Sequence, residues 1–203
     1  MPEPREPFPR RVKHLDGGSL RALAHPLRLR IQASLRTDGP ATASMLGERL
    51  GESSGATSYH LRVLAAHGFI EEDASRGTAR ERWWQLAHDM TSWRSERFRH
   101  DPDERAAEQW LSGYMAHQAM EWIDEWQSRR ADADEGWFAA AQQNDYGHLM
   151  TPQQVEAMLA EVHDVVLRHM DAAGRALEAG DAEATDARLV RLLVYALPAD
   201  ESA

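Results

Sequence analysis

Between residues 20 and 64 the apolar positions recur every three or four residues, and proline or glycine interrupts them at each change of direction. Leu20 and Leu23 predict the inner face of a first helix that begins after Asp16-Gly17-Gly18. His25-Pro26 ends it, because the residue before a proline is driven out of helical geometry. Pro26 then suits the first turn of a second helix, PLRLRIQASL, with Leu27, Ile31 and Leu35 at four-residue spacing; TDGP stops it. TASMLGERL reads as a short third helix capped by Thr42 and closed by Gly51. A fourth helix follows, capped by Ser53 or Ser54, with Thr57, Leu61 and Leu64 as its inner stripe and Gly68 as its stop.

After Gly68 the period drops to two. FIEED and ERWWQLA predict antiparallel strands joined by ASRGTAR, a loop with a central glycine. Three helices, a fourth, and a hairpin carrying arginines is the order of a winged helix-turn-helix. Alternation along the second strand sends one of Trp83 and Trp84 toward the core.

The second half starts with a long helix from about Asp101 to Arg130, opened by a DPDE capping box and carrying Leu111, Met115, Trp122 and Trp126 on one stripe, with Tyr114 at its margin. TPQQ opens another helix in the same way, with Val155, Met158, Leu159, Val162 and Val166 on one face. RLVRLLVYALP predicts a buried strand, although periodicity alone leaves a helix open, and DYGHLM is its candidate partner. The expected fold is mainly α with small β. Residues 1–14 form a proline-rich flexible arm, 15–92 the winged helix-turn-helix, and 93–203 a long dimerisation helix with a small α+β region. No internal repeat is visible.

Charge sharpens this division. The chain of 203 residues carries a net charge of −10, but residues 1–100 hold 16 Lys+Arg against 12 Asp+Glu, while residues 101–203 hold 7 against 21. The first half can approach phosphate and the second would repel it. No cysteine is present, which removes disulfides and thiolate metal sites. No apolar run is long enough to cross a bilayer and no signal-like segment is seen at the start, so a cytoplasmic protein with no membrane partner is expected.

The candidate chemistry lies on the fourth helix. If Thr57, Leu61 and Leu64 face inward, Ser54, Gly55, Ser58, Tyr59 and Arg62 form the outer face, with His60 at its edge. In a helix-turn-helix this helix enters the major groove. Small residues allow close approach, hydroxyls meet phosphates and bases, and an arginine can pair with guanine or phosphate. Ser-rich helix starts and surface arginines are common in any protein, so the reading rests on their combination with the element order and the wing.

LRALAHPLRLRIQASL, SYHLRVLAAHGFIEE and GTARERWWQLA resemble the winged helix-turn-helix of the ArsR family of bacterial transcriptional regulators, over about residues 17–90. Its patterns lxxLxHPxRLxIL and SxHLxxLxxxGlv recur here nearly letter for letter. The resemblance implies a homodimer on a pseudo-palindromic DNA operator, usually as a repressor. It places DNA contacts at Ser58, Tyr59, His60 and Arg62 and wing contacts at Arg76 and Arg80. With the flanking polar and small positions, the full DNA-binding set is Ser53, Ser54, Gly55, Thr57, Ser58, Tyr59, His60, Arg62, Arg76, Thr78 and Arg80.

The departures from the family bear on mechanism. Its metal sensors use cysteine pairs, absent here, and His163-Asp164 with His169 lack a second ligand pair, His169 falling on the apolar stripe and His163 at its margin. No metal and no cofactor is expected. LMTPQQV and LLVYALP resemble the C-terminal extension of a non-metal subset of the family. Trp110, Tyr114, Trp122, Trp126 and Trp137, five aromatic residues of the second half, could line a pocket for a small apolar effector. Core and dimer packing is the plainer use of such a stripe. No phosphate loop, G-x-S-x-G elbow or cysteine nucleophile is present, so an enzyme is not expected. Two other readings stay open: a winged helix that binds protein, and a regulator whose second half binds a small molecule.

Overall fold

A computed structural model of the chain describes residues 12–76, 81–181 and 186–199. The chain divides into two compact units, one over residues 9–122 and one over 123–203.

In the first unit, strand β1 (Val12–His14) leads into helix α1 (Gly17–Leu23). Asp16 and Ser19 cap α1 reciprocally: the Asp16 carboxylate accepts from Ser19 N–H at 2.7 Å, and Ser19 Oγ accepts from Asp16 N–H at 2.9 Å. Helix α2 (Pro26–Asp38) follows at once, with Pro26 in its first turn and His25 as its N-cap. Strand β2 (Ala41–Thr42), helix α3 (Ala43–Leu50), helix α4 (Ser54–Ala66), and strands β3 (Ile70–Glu72), β4 (Trp83–Leu86) and β5 (Met90–Ser92) complete the domain. Strands β2, β4 and β3 form an antiparallel sheet in that order, with Ala41 opposite Trp84 and Ile70 opposite Leu86.

The apolar stripes meet as their spacing requires. Leu20, Leu23, Leu27, Ile31, Leu35, Leu46, Leu61, Leu64, Phe69 and Ile70 are buried in one core. Trp84 turns into it while Trp83 stays half-buried. Phe98 and Leu111 belong to the same core, so the start of helix α5 (Pro102–Arg129) is packed into this unit.

Two differences from expectation appear here. Val12–His14, assigned to the flexible arm, pairs in parallel with Met90–Ser92. The DPDE sequence caps α5 on one side only. The Asp101 carboxylate accepts from the N–H groups of Asp103 and Glu104, both at 2.9 Å, but Glu104 reaches across to Arg21 at 3.1 Å instead of back to Asp101.

The second unit contains the last residues of α5, helix α6 (Glu135–Ala140), capped by Asp134, and helix α7 (Pro152–Glu178). Thr151 and Gln154 make the expected capping box on α7. The expected strand is absent. Residues 188–198 have no regular secondary structure, and Leu189, Val190, Leu192, Val194, Tyr195 and Leu197 are exposed. DYGHLM forms no strand either and is exposed throughout. A strand is held by a hydrogen-bonded neighbouring strand and by burial of its side chains, and among the described residues no strand pairs with residues 188–198. His163 and His169 are exposed. No described residue beyond Ala119 is buried.

Candidate nucleic-acid interface

The interface begins with the turn between α3 and α4. Thr42 Oγ1 accepts from Met45 N–H at 3.3 Å and starts α3. Gly51 ends it with φ of 69°, in the left-handed region that glycine enters without a Cβ clash. Glu52 N–H donates to Gly47 O at 2.8 Å, and a Cβ on Gly47 would lie 2.9 Å from Glu52 O. The turn is therefore tight enough to need glycine at both positions. Ser53 Oγ then accepts from Ala56 N–H at 3.1 Å, which starts α4.

The inner face of α4 is locked. Thr57, Leu61 and Leu64 are fully buried, and the Thr57 hydroxyl donates to Ser53 O at 3.0 Å. Thr57 therefore faces the core and is withdrawn from the DNA-contact set: a hydroxyl enclosed on this side of the helix cannot reach a groove. Ser53 spends its side-chain oxygen on the cap. The remaining positions present themselves outward. Ser54, Gly55 and Arg62 are exposed, Tyr59 is 56% exposed, and Ser58 is half-buried. Arg62 Nε donates to Ser58 O at 3.2 Å, which lays the guanidinium along its own helix.

His60 is half-buried at the edge of the outer face. Its ring lies 4.4 Å from that of His25, with Tyr59 meeting it edge-on at 5.1 Å. It is a contact between α4 and the start of α2.

The wing begins at β3. Arg76 pairs with Asp73 at 3.2 Å and stands over the Trp83 ring at 5.8 Å. Hydrogen bonds from the Ser75 hydroxyl and N–H, with Arg76 beside it, hold the Asp73 carboxyl below the usual carboxylate range. Thr78 and Arg80 lie outside the described residues. Arg82, which the sequence reading passed over, stands on the other side of the hairpin and pairs loosely with Glu72 at 3.7 Å. A cleft of about 280 Å³ runs between the start of α3, the outer face of α4 and β4; Thr42, Ser44, Ser58, Arg62, Arg82 and Trp84 line it. Strand alternation around Trp84 was the signal that could have found Arg82. The ion pair of Arg82 is exposed on both sides, so it holds the side chain weakly and can be exchanged for phosphate, whereas Arg76 is tied to a largely buried Asp73.

The five aromatic residues of the second half do not all share one unit. Trp110 stacks on Tyr114 at 5.3 Å in the first unit, where Trp122 also lies half-buried. Trp126 and Trp137 belong to the second, Trp126 beside Arg129 at 5.9 Å. Around Trp137 the surroundings are polar: Arg188 covers its ring at 5.1 Å and pairs with Asp134 at 2.7 Å, while its indole N–H donates to Asp186 at 3.1 Å. Among the described residues, no group of three or more His, Asp or Glu side chains is placed to hold a metal ion, and no helix is long and apolar enough to cross a membrane.

Comparison with known proteins bears on the same segment. No curated protein matches the chain. Among solved structures, reduced HlyU from Vibrio cholerae is 30% identical over 34% of this chain and 68% of its own, with a TM-score of 0.30. NolR from Sinorhizobium fredii is 30% identical over 36% and 68%, with a TM-score of 0.31. NMB1585, a MarR family regulator from Neisseria meningitidis, is 15% identical over 73% and 78%, with a TM-score of 0.30. Residues 23–73, from the end of α1 to the root of the wing, match the helix-turn-helix domain family. The chain therefore carries a helix-turn-helix domain of the winged kind, the module with which transcription regulators bind DNA.

Proposed function

We propose that the chain is a homodimeric, sequence-specific regulator of the ArsR type, most simply a repressor, that reads a pseudo-palindromic operator in double-stranded DNA. The observation that carries this reading is the division of α4 into a locked inner face and an outward face of Ser54, Gly55, Ser58, Tyr59 and Arg62. Such a face can enter a major groove closely, with Arg62 reaching a base edge or phosphate and the arginines at the wing root meeting the backbone. Two copies would place their α4 helices one helical turn apart, about 34 Å.

Dimerisation is supported by the second unit. Val155, Leu159, Val162 and Val166 are only half-buried on the 27-residue helix α7, and residues 188–198 expose a run of leucine, valine and tyrosine. Apolar surface of that kind is covered most economically by the same surface of a second copy. Catalysis and a cofactor have no place in this reading.

Selection from a pool of random duplexes tests it. Enrichment of two inverted half-sites with centres about 10–10.5 base pairs apart, or a multiple of that, is the expected result. Enrichment of a lone half-site would remove the dimer, and no enrichment at all would favour a protein partner for the outer face of α4.

A further inference from the structure

The structure joins the start of α2 to the DNA-facing helix through two histidines. His25 precedes Pro26, and its Nδ1 accepts from Leu27 N–H at 3.1 Å, so the ring is the side-chain cap of α2. An imidazole accepts only through an unprotonated nitrogen. The His25 ring also meets His60 on α4, centroid to centroid 4.4 Å at an interplanar angle of 41°. His60 Nδ1 is buried with no hydrogen-bond partner among the described residues.

From these contacts we infer that His25 and His60 form a neutral imidazole pair that seats the recognition helix on α2, and that protonation in mild acid splits the pair and weakens DNA binding. A proton on His25 Nδ1 would remove the cap from Leu27 N–H, and one on each ring would set two cations 4.4 Å apart. In either state α4 loses its contact beside Tyr59.

Of the charged groups around the pair, Arg28 favours the neutral rings and Glu52 the protonated ones. On α2, Arg28 stands beside both rings; its Nε is buried without a partner, and its Nη2 donates to Arg21 O at 3.4 Å. On α4, Tyr59 presents its ring edge to His60. From the turn before α4, Glu52 opposes Arg28, but Arg30 pairs with its carboxylate at 3.4 Å. Burial is the main cause that pushes both histidines below their ordinary 6.5, with Arg28 adding to it for each and His25 adding to it for His60. Folding therefore favours the neutral rings. Their contribution to stability is complete above pH 6.5 and is lost as pH falls through the lower folded values.

The test uses the full chain and the variants His25→Asn, His60→Gln and the double variant. Asparagine keeps a side-chain acceptor at the cap and does not titrate. Thermal unfolding is followed at pH 7.5 and pH 5.5; the other histidines are common to all variants and cancel in the comparison. Wild-type Tm is expected to fall by about 2–4 °C more than that of either single variant. The double variant should behave as the single ones do. If both single variants keep the full wild-type fall, the pair is not the sensor and the inference is overturned.

The DNA part rests on the function proposed above. With the selected duplex, the wild-type Kd should rise severalfold over the same interval, and that of His25→Asn should not. A wild-type affinity that holds or improves in acid overturns the inference. Should the Tm difference appear while no duplex binds at any pH, the histidine pair stands and the DNA reading fails.

Discussion

The two units use similar patterns and reach different outcomes. In residues 9–122 every stripe leucine of α2 and α4 is buried, down to 0–6% exposure, and the helices interlock with a three-stranded sheet. In residues 123–199 helix α7 carries an equally regular stripe, yet no described residue there is buried. Periodicity states which face of a helix must be covered; it does not state by what. The first unit covers its stripes with itself. The second leaves its apolar surface available, which is what an association surface requires.

Several variants would break or sharpen that contrast. Leu61→Ala, at the centre of the first unit, should cost about 2–5 kcal/mol, read as a lower midpoint in chemical denaturation. Leu159→Ala on the α7 stripe should shift that midpoint far less, and a shift as large as that of Leu61→Ala would place Leu159 in a closed core. Leu159→Asp should instead act on assembly. Sedimentation equilibrium should report the monomer, because a desolvated carboxylate opposes burial of the stripe. An unchanged dimer would move the interface off α7.

Smaller effects concern the interface. Arg62→Ala should weaken specific binding by about 1–3 kcal/mol and relax preference at one base position if the contact is bidentate. An equal loss on every sequence would assign Arg62 to phosphate alone. Ser53→Ala removes the oxygen that accepts from Ala56 N–H and should cost about 1 kcal/mol of stability at unchanged base preference. Altered preference in that variant would show that Ser53 touches DNA as well as capping α4.

Local chemistry is what the sequence made legible. The caps at Thr42, Ser53 and Thr151, the positive φ of Gly51 and Gly68, and the stripe of Thr57, Leu61 and Leu64 each depend on neighbours within a few residues. What was missed depends on distant partners. Val12–His14 has no strand signature of its own, and its pairing with Met90–Ser92 joins segments far apart in the chain. Glu104 was expected to cap α5 and instead reaches Arg21 on α1. His60 stood at the edge of the outer face by helical spacing, and only the fold brings His25 against it. Residues 188–198 failed in the opposite direction: their valines and tyrosine satisfy the composition of a strand, but composition does not provide a neighbour.

The central claim is that the outer face of α4 reads DNA. Fluorescence anisotropy tests it most directly, with a labelled duplex carrying the selected site, a scrambled duplex of the same length, and near-physiological salt. The account predicts a preference of about a thousandfold for the selected site and an affinity that falls steeply as salt rises, since phosphate contacts release counterions. Equal and weak binding to both duplexes would contradict it.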